Sequence, residues 1–362
     1  MKKTFVTKTV LPDLEEYVSY LKKIWSSHHV TNNGIFVQEL KKELELFLRV
    51  KNLCLLTNGT VALQIAFKAL DLQGEVITTP FSYVATTSTL VWEGLKPVFV
   101  DINPHTFNID PTKIEASITP QTSAILATHV FGNPCAVEEI QTIADKHNLK
   151  VIYDAAHAFD VQFKGKSIFE YGDISTLSFH STKVFHTVEG GAIVAPSADL
   201  FDRSCFMRNF GHSGTEDFVG LGINGKMDEF RAAMGLCLLP KVKDYMALRK
   251  SITLLYDSQL FPSDAIHKPK FSPDTSLNYI YYPIIFEKEE KLHQIMGALN
   301  EREIYPRRYF FPCLANLPYV EKSNVPVAES ISKRVLCLPL SPDLSHEKVE
   351  EICEIILNAL QS

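Results

Sequence analysis

Apolar residues recur along this chain at two periods. In "QELKKELELFLR" (38–49), Leu40, Leu44, Phe47 and Leu48 share one stripe of an amphipathic helix. "TVALQIAFKAL" repeats the pattern with Leu63, Ala66, Phe67 and Leu70, and this helix starts just after Gly59. Around them lie short apolar runs rich in Val, Ile and Thr: "NLCLLTNG", "EVITTP", "KPVFVD", "TSAILATHV", "KVIYDAA", "ISTLSFH" and "GAIVAP". These read as strands. "PCAVEEIQTIADKHN" is a helix between two of them. Strands alternating with helices, and apolar throughout, predict an α/β fold with a mostly parallel sheet covered on both faces. Ligands of such sheets bind outside the carboxyl ends of the strands.

After "DEFRAAMGLCLLPKV" the pattern changes. A helix over "KVKDYMALRKSITLLYDSQL" leads to an alternating strand, "TSLNYIYYPIIFE". Then come a helix, the aromatic loop "YPRRYFFPCLANLPYV" and a last helix, "SHEKVEEICEIILNAL". A chain of 362 residues exceeds one core of common size. We expect a large domain over 1–240 and a smaller α/β domain over 241–362, with the N-terminal residues packing on the smaller one.

Composition narrows the function classes. Hydrophobic residues make up 46% and charged residues 22%, with a net charge of −6 and no basic tract. Nucleic-acid and anionic-membrane partners find no support. The seven cysteines form no C-x-x-C pair and no metal-ligand spacing. Most lie in apolar runs, as buried residues of a reducing compartment do. Lys8 and Pro12 interrupt the apolar stretch at the N-terminus, so no signal peptide is expected. No run approaches the roughly 20 apolar residues of a membrane span. A cytoplasmic protein without a metal is expected.

Chemistry concentrates at the predicted strand ends. "TNGT" puts Gly59 and Thr60 at a helix N-terminus, where free N–H groups bind anions. Alone, Asn-Gly also reads as a common turn. Asp154 ends "KVIYD", as a functional carboxylate or as a helix cap. His157 follows one turn on, where packing or solvation would also suit it. "SFHSTKVFHTVEGGAI" holds Lys183 among Ser178, Ser181 and Thr182, ahead of Gly190 and Gly191. Most lysines are solvated surface charges. An anion site, a carboxylate and a lysine on successive strand ends together match the needs of pyridoxal phosphate. They would hold its phosphate, its ring nitrogen and its aldehyde carbon.

These residues resemble the sugar-nucleotide aminotransferases of the DegT/DnrJ/EryC1/StrS family, which have the type-I PLP-dependent aminotransferase fold. "NGTVAL", "TTPFSYVATTST", "GLKPVFVDI", "ATHVFGNP", "VIYDAAHA", "LSFHSTK", "EGGAI" and "INGKMDEFRAAMG" fall in family order across residues 30–240. The C-terminal third matches more loosely. The resemblance implies that Lys183 bonds the cofactor aldehyde and that Asp154 pairs with the ring nitrogen. It places His157 near the phenolic oxygen, where many members carry glutamine, and Tyr83 on the ring face. Gly59, Thr60 and Ser178 would hold the phosphate. Asn224 would reach the phosphate of a neighbouring subunit, giving a homodimer with shared active sites. For Asn224 a plain turn, and for Tyr83 a core position, are the alternatives.

The resemblance further implies a reaction. An amino group passes from L-glutamate, through pyridoxamine phosphate, to a keto carbon of a nucleotide-linked 6-deoxyhexose. Relatives that dehydrate such sugars carry histidine in place of the lysine, so Lys183 favours transamination. The run from "VIYDAAHAFD" to "EGGAI" is most similar to the subgroup forming dTDP-4-amino-4,6-dideoxyglucose, a unit of surface polysaccharide. Action at carbon 3, the galacto epimer, a dehydratase and a cofactor-binding regulator are the alternatives. Arg307 and Arg308 are expected at the diphosphate, with Tyr309 and His186, or His212, near the sugar; a solvated basic pair is the alternative for the two arginines.

Overall fold

A computed structural model describes residues 3–261 and 263–361. Seven strands form one sheet: β1 Leu53–Leu56, β2 Glu75–Thr78, β3 Lys96–Phe99, β4 Thr122–Thr128, β5 Lys150–Asp154, β6 Ile174–Ser178 and β7 Gly191–Val194. Their order is β1-β7-β6-β5-β4-β2-β3. Neighbours from β6 across to β3 run parallel, and β7 runs antiparallel to both β1 and β6. The predicted strands are therefore all present. β1 and β7 are wholly buried and the middle strands nearly so, as sheets covered on both faces require.

Four helices set the stage for the site: α1 Leu14–Ser27, α2 Ile35–Leu48, α3 Gly59–Ala69 and α4 Val84–Trp92. Leu40, Leu44 and Leu48 of α2 are buried, as their stripe predicts. On α3, Leu63, Ala66 and Phe67 pack against Leu56, Ile152 and Ile193 of the sheet. Phe67 is 1% exposed, so Phe67→Ala should cost about 3–5 kcal/mol of stability. Urea unfolding checks this; a loss below about 1 kcal/mol would show that the site repacks.

The hydrophobic pattern hid two of these helices. Only Ile24 of α1 is buried, so its apolar stripe is faint. Asp13 nonetheless caps it, accepting from the N–H groups of Glu15 and Glu16 at 2.9 and 3.2 Å. The sequence of α4, "VATTSTLVW", is rich in β-branched residues that favour strands. Thr86 and Thr89 of this helix satisfy their hydroxyls, Thr89 Oγ1 donating to the Ala85 carbonyl at 2.7 Å, while the buried Thr87 Oγ1 finds no partner among the described residues.

A second core lies in the C-terminal third. β8 (Tyr282–Phe286) sits between Ile266–His267 and β9 (Val335–Leu338). All five residues of β8 are buried, whereas its alternation predicted one wet face. Tyr282, Ile284 and Phe286 enter the C-terminal core, while Ile285 enters the core of the large sheet. The period of two holds, and both faces find a partner. At the N-terminus, Thr4–Phe5 pairs in parallel with Ile304–Tyr305. No described helix is long and apolar enough to cross a membrane.

Candidate active site

Register builds the site. Thr128, Asp154 and Thr176 stand side by side at the carboxyl ends of β4, β5 and β6. Gly191 pairs with Ser178. Over these ends opens a cavity of about 590 Å³, lined by Gly59, Tyr83, Asp154, His157 and Lys183 among others. Three sequence-distant motifs thus meet in one space.

Asp154 is 7% exposed. Its Oδ2 accepts from Thr86 Oγ1 at 2.7 Å and its Oδ1 from the Ala156 N–H at 3.2 Å. Thr128 Oγ1 donates to Ser82 Oγ, 3.1 Å away, and Ser82 Oγ lies 2.8 Å from Thr86 Oγ1. Since Thr86 gives its proton to Asp154, Ser82 must give its own to Thr86. A relay of hydroxyls therefore fixes the carboxylate. Burial raises the Asp154 carboxyl above its ordinary value, against Thr86, the Ala156 N–H and the charge of Lys183. Such a buried acid is well matched to a cation placed against it.

Lys183 takes the opposite shift. Burial pulls its ammonium down to about 8, against the attraction of Asp154. The native state thus releases a proton between about pH 8 and the ordinary value of 10.5, where the unfolded chain still holds it. Neutral amine is the form that attacks an aldehyde. The rate at which cofactor-free enzyme takes up pyridoxal phosphate should therefore climb through a midpoint near 8. A midpoint near 10 would contradict the burial of this amine.

His157 stacks on Phe310, with ring centroids 5.5 Å apart and planes 3° apart, and meets the edge of Tyr281 at 5.1 Å. Its Nδ1 accepts from the Phe131 N–H at 3.3 Å. Burial, aided by Lys183, holds the ring well below its usual pKa, so it is neutral. The remaining proton sits on Nε2 as a donor.

The anion cradle forms where α3 begins. Asn58 caps the helix, its side chain accepting from the Val61 N–H at 2.8 Å. The N–H groups of Gly59 and Thr60 make no hydrogen bond among the described residues. A Cβ on Gly59 would stand 3.0 Å from Ser178 Cβ, and one on Gly191 would stand 2.5 Å from the Asn58 carbonyl carbon. Glycine at 191 lets β7 approach the turn that carries the cradle. Gly191→Ala should push that turn aside and weaken cofactor binding about tenfold or more, roughly 1.4 kcal/mol. Titration of cofactor-free protein with pyridoxal phosphate checks it, and an unchanged affinity would contradict it.

The other sequence-predicted residues divide. Gly59, Thr60, Tyr83, Ser178 and Tyr309 line the cavity. Tyr83 is 60% exposed, which removes the core alternative. Asn224 is exposed and does not line the cavity of its own chain. Arg308 turns away: its Nη2 donates to Glu289 Oε1 at 2.7 Å and to the Lys333 carbonyl at 2.9 Å, and it covers the Phe311 ring at 3.7 Å. Arg307 lines the cavity instead. His186 is likewise absent from the lining, because both ring nitrogens bind backbone, Nε2 at the Val10 carbonyl (2.7 Å) and Nδ1 at the Val188 N–H (3.2 Å). Sequence reading missed Thr86, Ser82 and Phe310. Thr86 left one faint signal, a hydroxyl-rich stretch after a strand, and its composition reads as strand rather than helix.

The family described as the DegT/DnrJ/EryC1/StrS aminotransferase family matches residues 13–357. A Shigella dysenteriae dTDP-4-amino-4,6-dideoxy-D-glucose transaminase is 44% identical over 361 residues, covering 98% of each chain. DesI, crystallised in the presence of its TDP-sugar product, superposes with a TM-score of 0.94 at 30% identity, covering 99% of this chain and 93% of the other. The Bacillus subtilis protein ntda, with bound cofactor pmp, has a TM-score of 0.88 at 28% identity, covering 96% of this chain and 82% of the other.

Proposed function

The chain belongs to the DegT/DnrJ/EryC1/StrS aminotransferase family, and from that premise we propose that it moves the amino group of L-glutamate onto carbon 4 of dTDP-4-keto-6-deoxy-D-glucose. The product is dTDP-4-amino-4,6-dideoxy-D-glucose, a building unit of surface polysaccharide made in the cytoplasm. The observation that carries this reading is Lys183 and Asp154 sharing one cavity, in a chain 44% identical to a transaminase of that name.

Pyridoxal phosphate, when bound, supplies an aldehyde for the amine and a ring that withdraws electrons from the substrate carbon. The residues do the rest. Asp154, fixed by Thr86, would hold a proton on the ring nitrogen. His157 would donate from Nε2 to the ring's phenolic oxygen. Gly59, Thr60 and Ser178 would hold the phosphate, and Tyr83 would cover the ring. Lys183, with its amine free, would be the group that carries the proton of the glutamate α-carbon. In the second half it works in reverse, delivering a proton to carbon 4 of the sugar. Arg307 meets the diphosphate with a bidentate guanidinium.

The same reading needs a second copy. Asn224 would serve the partner's phosphate, and its segment exposes Phe218 (66%) and Leu221 (76%), apolar surface that a partner would cover. Sedimentation should give a dimer; a fully active monomer would remove this role. The test of the function is NMR of the product from dTDP-4-keto-6-deoxy-D-glucose and glutamate. An equatorial amine at carbon 4 is expected. An amine at carbon 3, an axial amine, or oxygen loss without amination would each replace the reading.

A further inference from the structure

The buried groups of the cavity have partners: Asp154 has Thr86 and Ala156, and His157 has Phe131. Glu189 does not fit that account. Glu189 lines the cavity that Lys183 also lines. Among the described residues no lysine or arginine reaches it within 4.0 Å. Among the described residues its ion-pair partner is His180, whose Nε2 lies 3.6 Å from Oε1.

The tautomer of His180 follows from its other nitrogen. The Thr182 N–H donates to Nδ1 at 3.3 Å, and Thr182 Oγ1 lies 2.8 Å from the same atom. Nδ1 is therefore the acceptor, and the neutral ring carries its proton on Nε2, toward Glu189. The backbone around the pair is braced. Thr187 Oγ1 donates to the Glu189 carbonyl at 2.8 Å. Both side chains stay reachable from the cavity, at 45% and 47% exposure.

A carboxylate is out of place in a cavity built for phosphate and diphosphate, because like charges repel. It is favourable only against a ligand that offers donors. Glutamate offers one ammonium group but brings two carboxylates. The keto-sugar offers hydroxyl groups and no charge near the reacting carbon. A carboxylate accepting from a hydroxyl makes a charge-assisted bond, stronger than one between neutral groups. We propose that Glu189, oriented by His180, is the subsite that reads the sugar hydroxyl beside the keto carbon, and so selects the acceptor of the second half-reaction. This inference rests on the sugar-nucleotide reading above.

The test follows each half-reaction separately in the holoenzyme, by the absorbance of the cofactor. In Glu189→Gln, charging by glutamate should stay within about twofold of wild type, while kcat/KM for the keto-sugar falls about 10- to 100-fold. Glu189→Asp should recover part of that loss. A dTDP-linked keto-sugar lacking the carbon-3 hydroxyl adds the decisive arm. Wild type should react with it about 10- to 100-fold more slowly than with the full sugar, whereas Glu189→Gln should no longer distinguish the two. Equal slowing of both half-reactions in Glu189→Gln, or an undiminished preference for the hydroxylated sugar, would overturn the proposal. Failure of the wild type itself to aminate the keto-sugar would instead overturn the functional reading.

Discussion

Lys183→Ala loses transamination by about a thousandfold or more, since one side chain serves as both the covalent anchor and the proton carrier. Its readout is steady-state turnover with glutamate and keto-sugar. The geometry makes the loss hard to rescue. Among the described lysines, Lys183 is the one that lines the cavity with Asp154, and its amine is pulled down to about 8. A surface lysine would have neither property. Lys183→Arg keeps the positive charge but has no amine able to bond an aldehyde, so it should fail as completely. Retention of more than a tenth of the activity by either variant would assign the chemistry to another group.

Asp154→Asn should cost about a hundred- to a thousandfold in kcat, the size found when a preorganised electrostatic partner is removed. Amide and acid share a shape, so the cavity persists. What disappears is the anion that keeps the cofactor ring nitrogen protonated. The cofactor-free protein should respond in the other direction. Its native Asp154 carboxyl is raised above the ordinary 3.8, so the native state holds a proton that the unfolded chain has released just above that pH. Stability from this group is full below the ordinary value and falls as pH climbs through the raised one. Asp154→Asn removes that fall. In the absence of cofactor the variant should therefore be at least as stable as wild type at neutral pH, by denaturant unfolding. A less stable and fully active variant would refute both halves.

The two roles explain what the sequence could and could not disclose. Alternating apolar runs and helical stripes set out the large sheet, because all seven strands lie between covering layers. The cofactor motifs were legible for a different reason. Parallel strands end at one edge, so Gly59, Asp154 and Lys183 had to meet there once the strands were placed. Fine geometry stayed hidden. Whether Arg307 or Arg308 faces the cavity depends on a loop with no periodicity, and Glu289 draws Arg308 away. His186 reads like a pocket residue until Val10, 176 positions distant, claims its ring. Thr86 was obscured because α4 has a strand-like composition, and its bond to Asp154 spans 68 positions. These outcomes rest on long-range contacts that no local pattern records.

Everything proposed for this site depends on a bond between the cofactor and the amine at position 183. Borohydride reduction of the yellow holoenzyme, followed by peptide mapping in a mass spectrometer, tests it most directly. A pyridoxyl group on Lys183 alone is expected, and none when glutamate is added before the reductant. Label on a different lysine, or label that glutamate does not prevent, would contradict it.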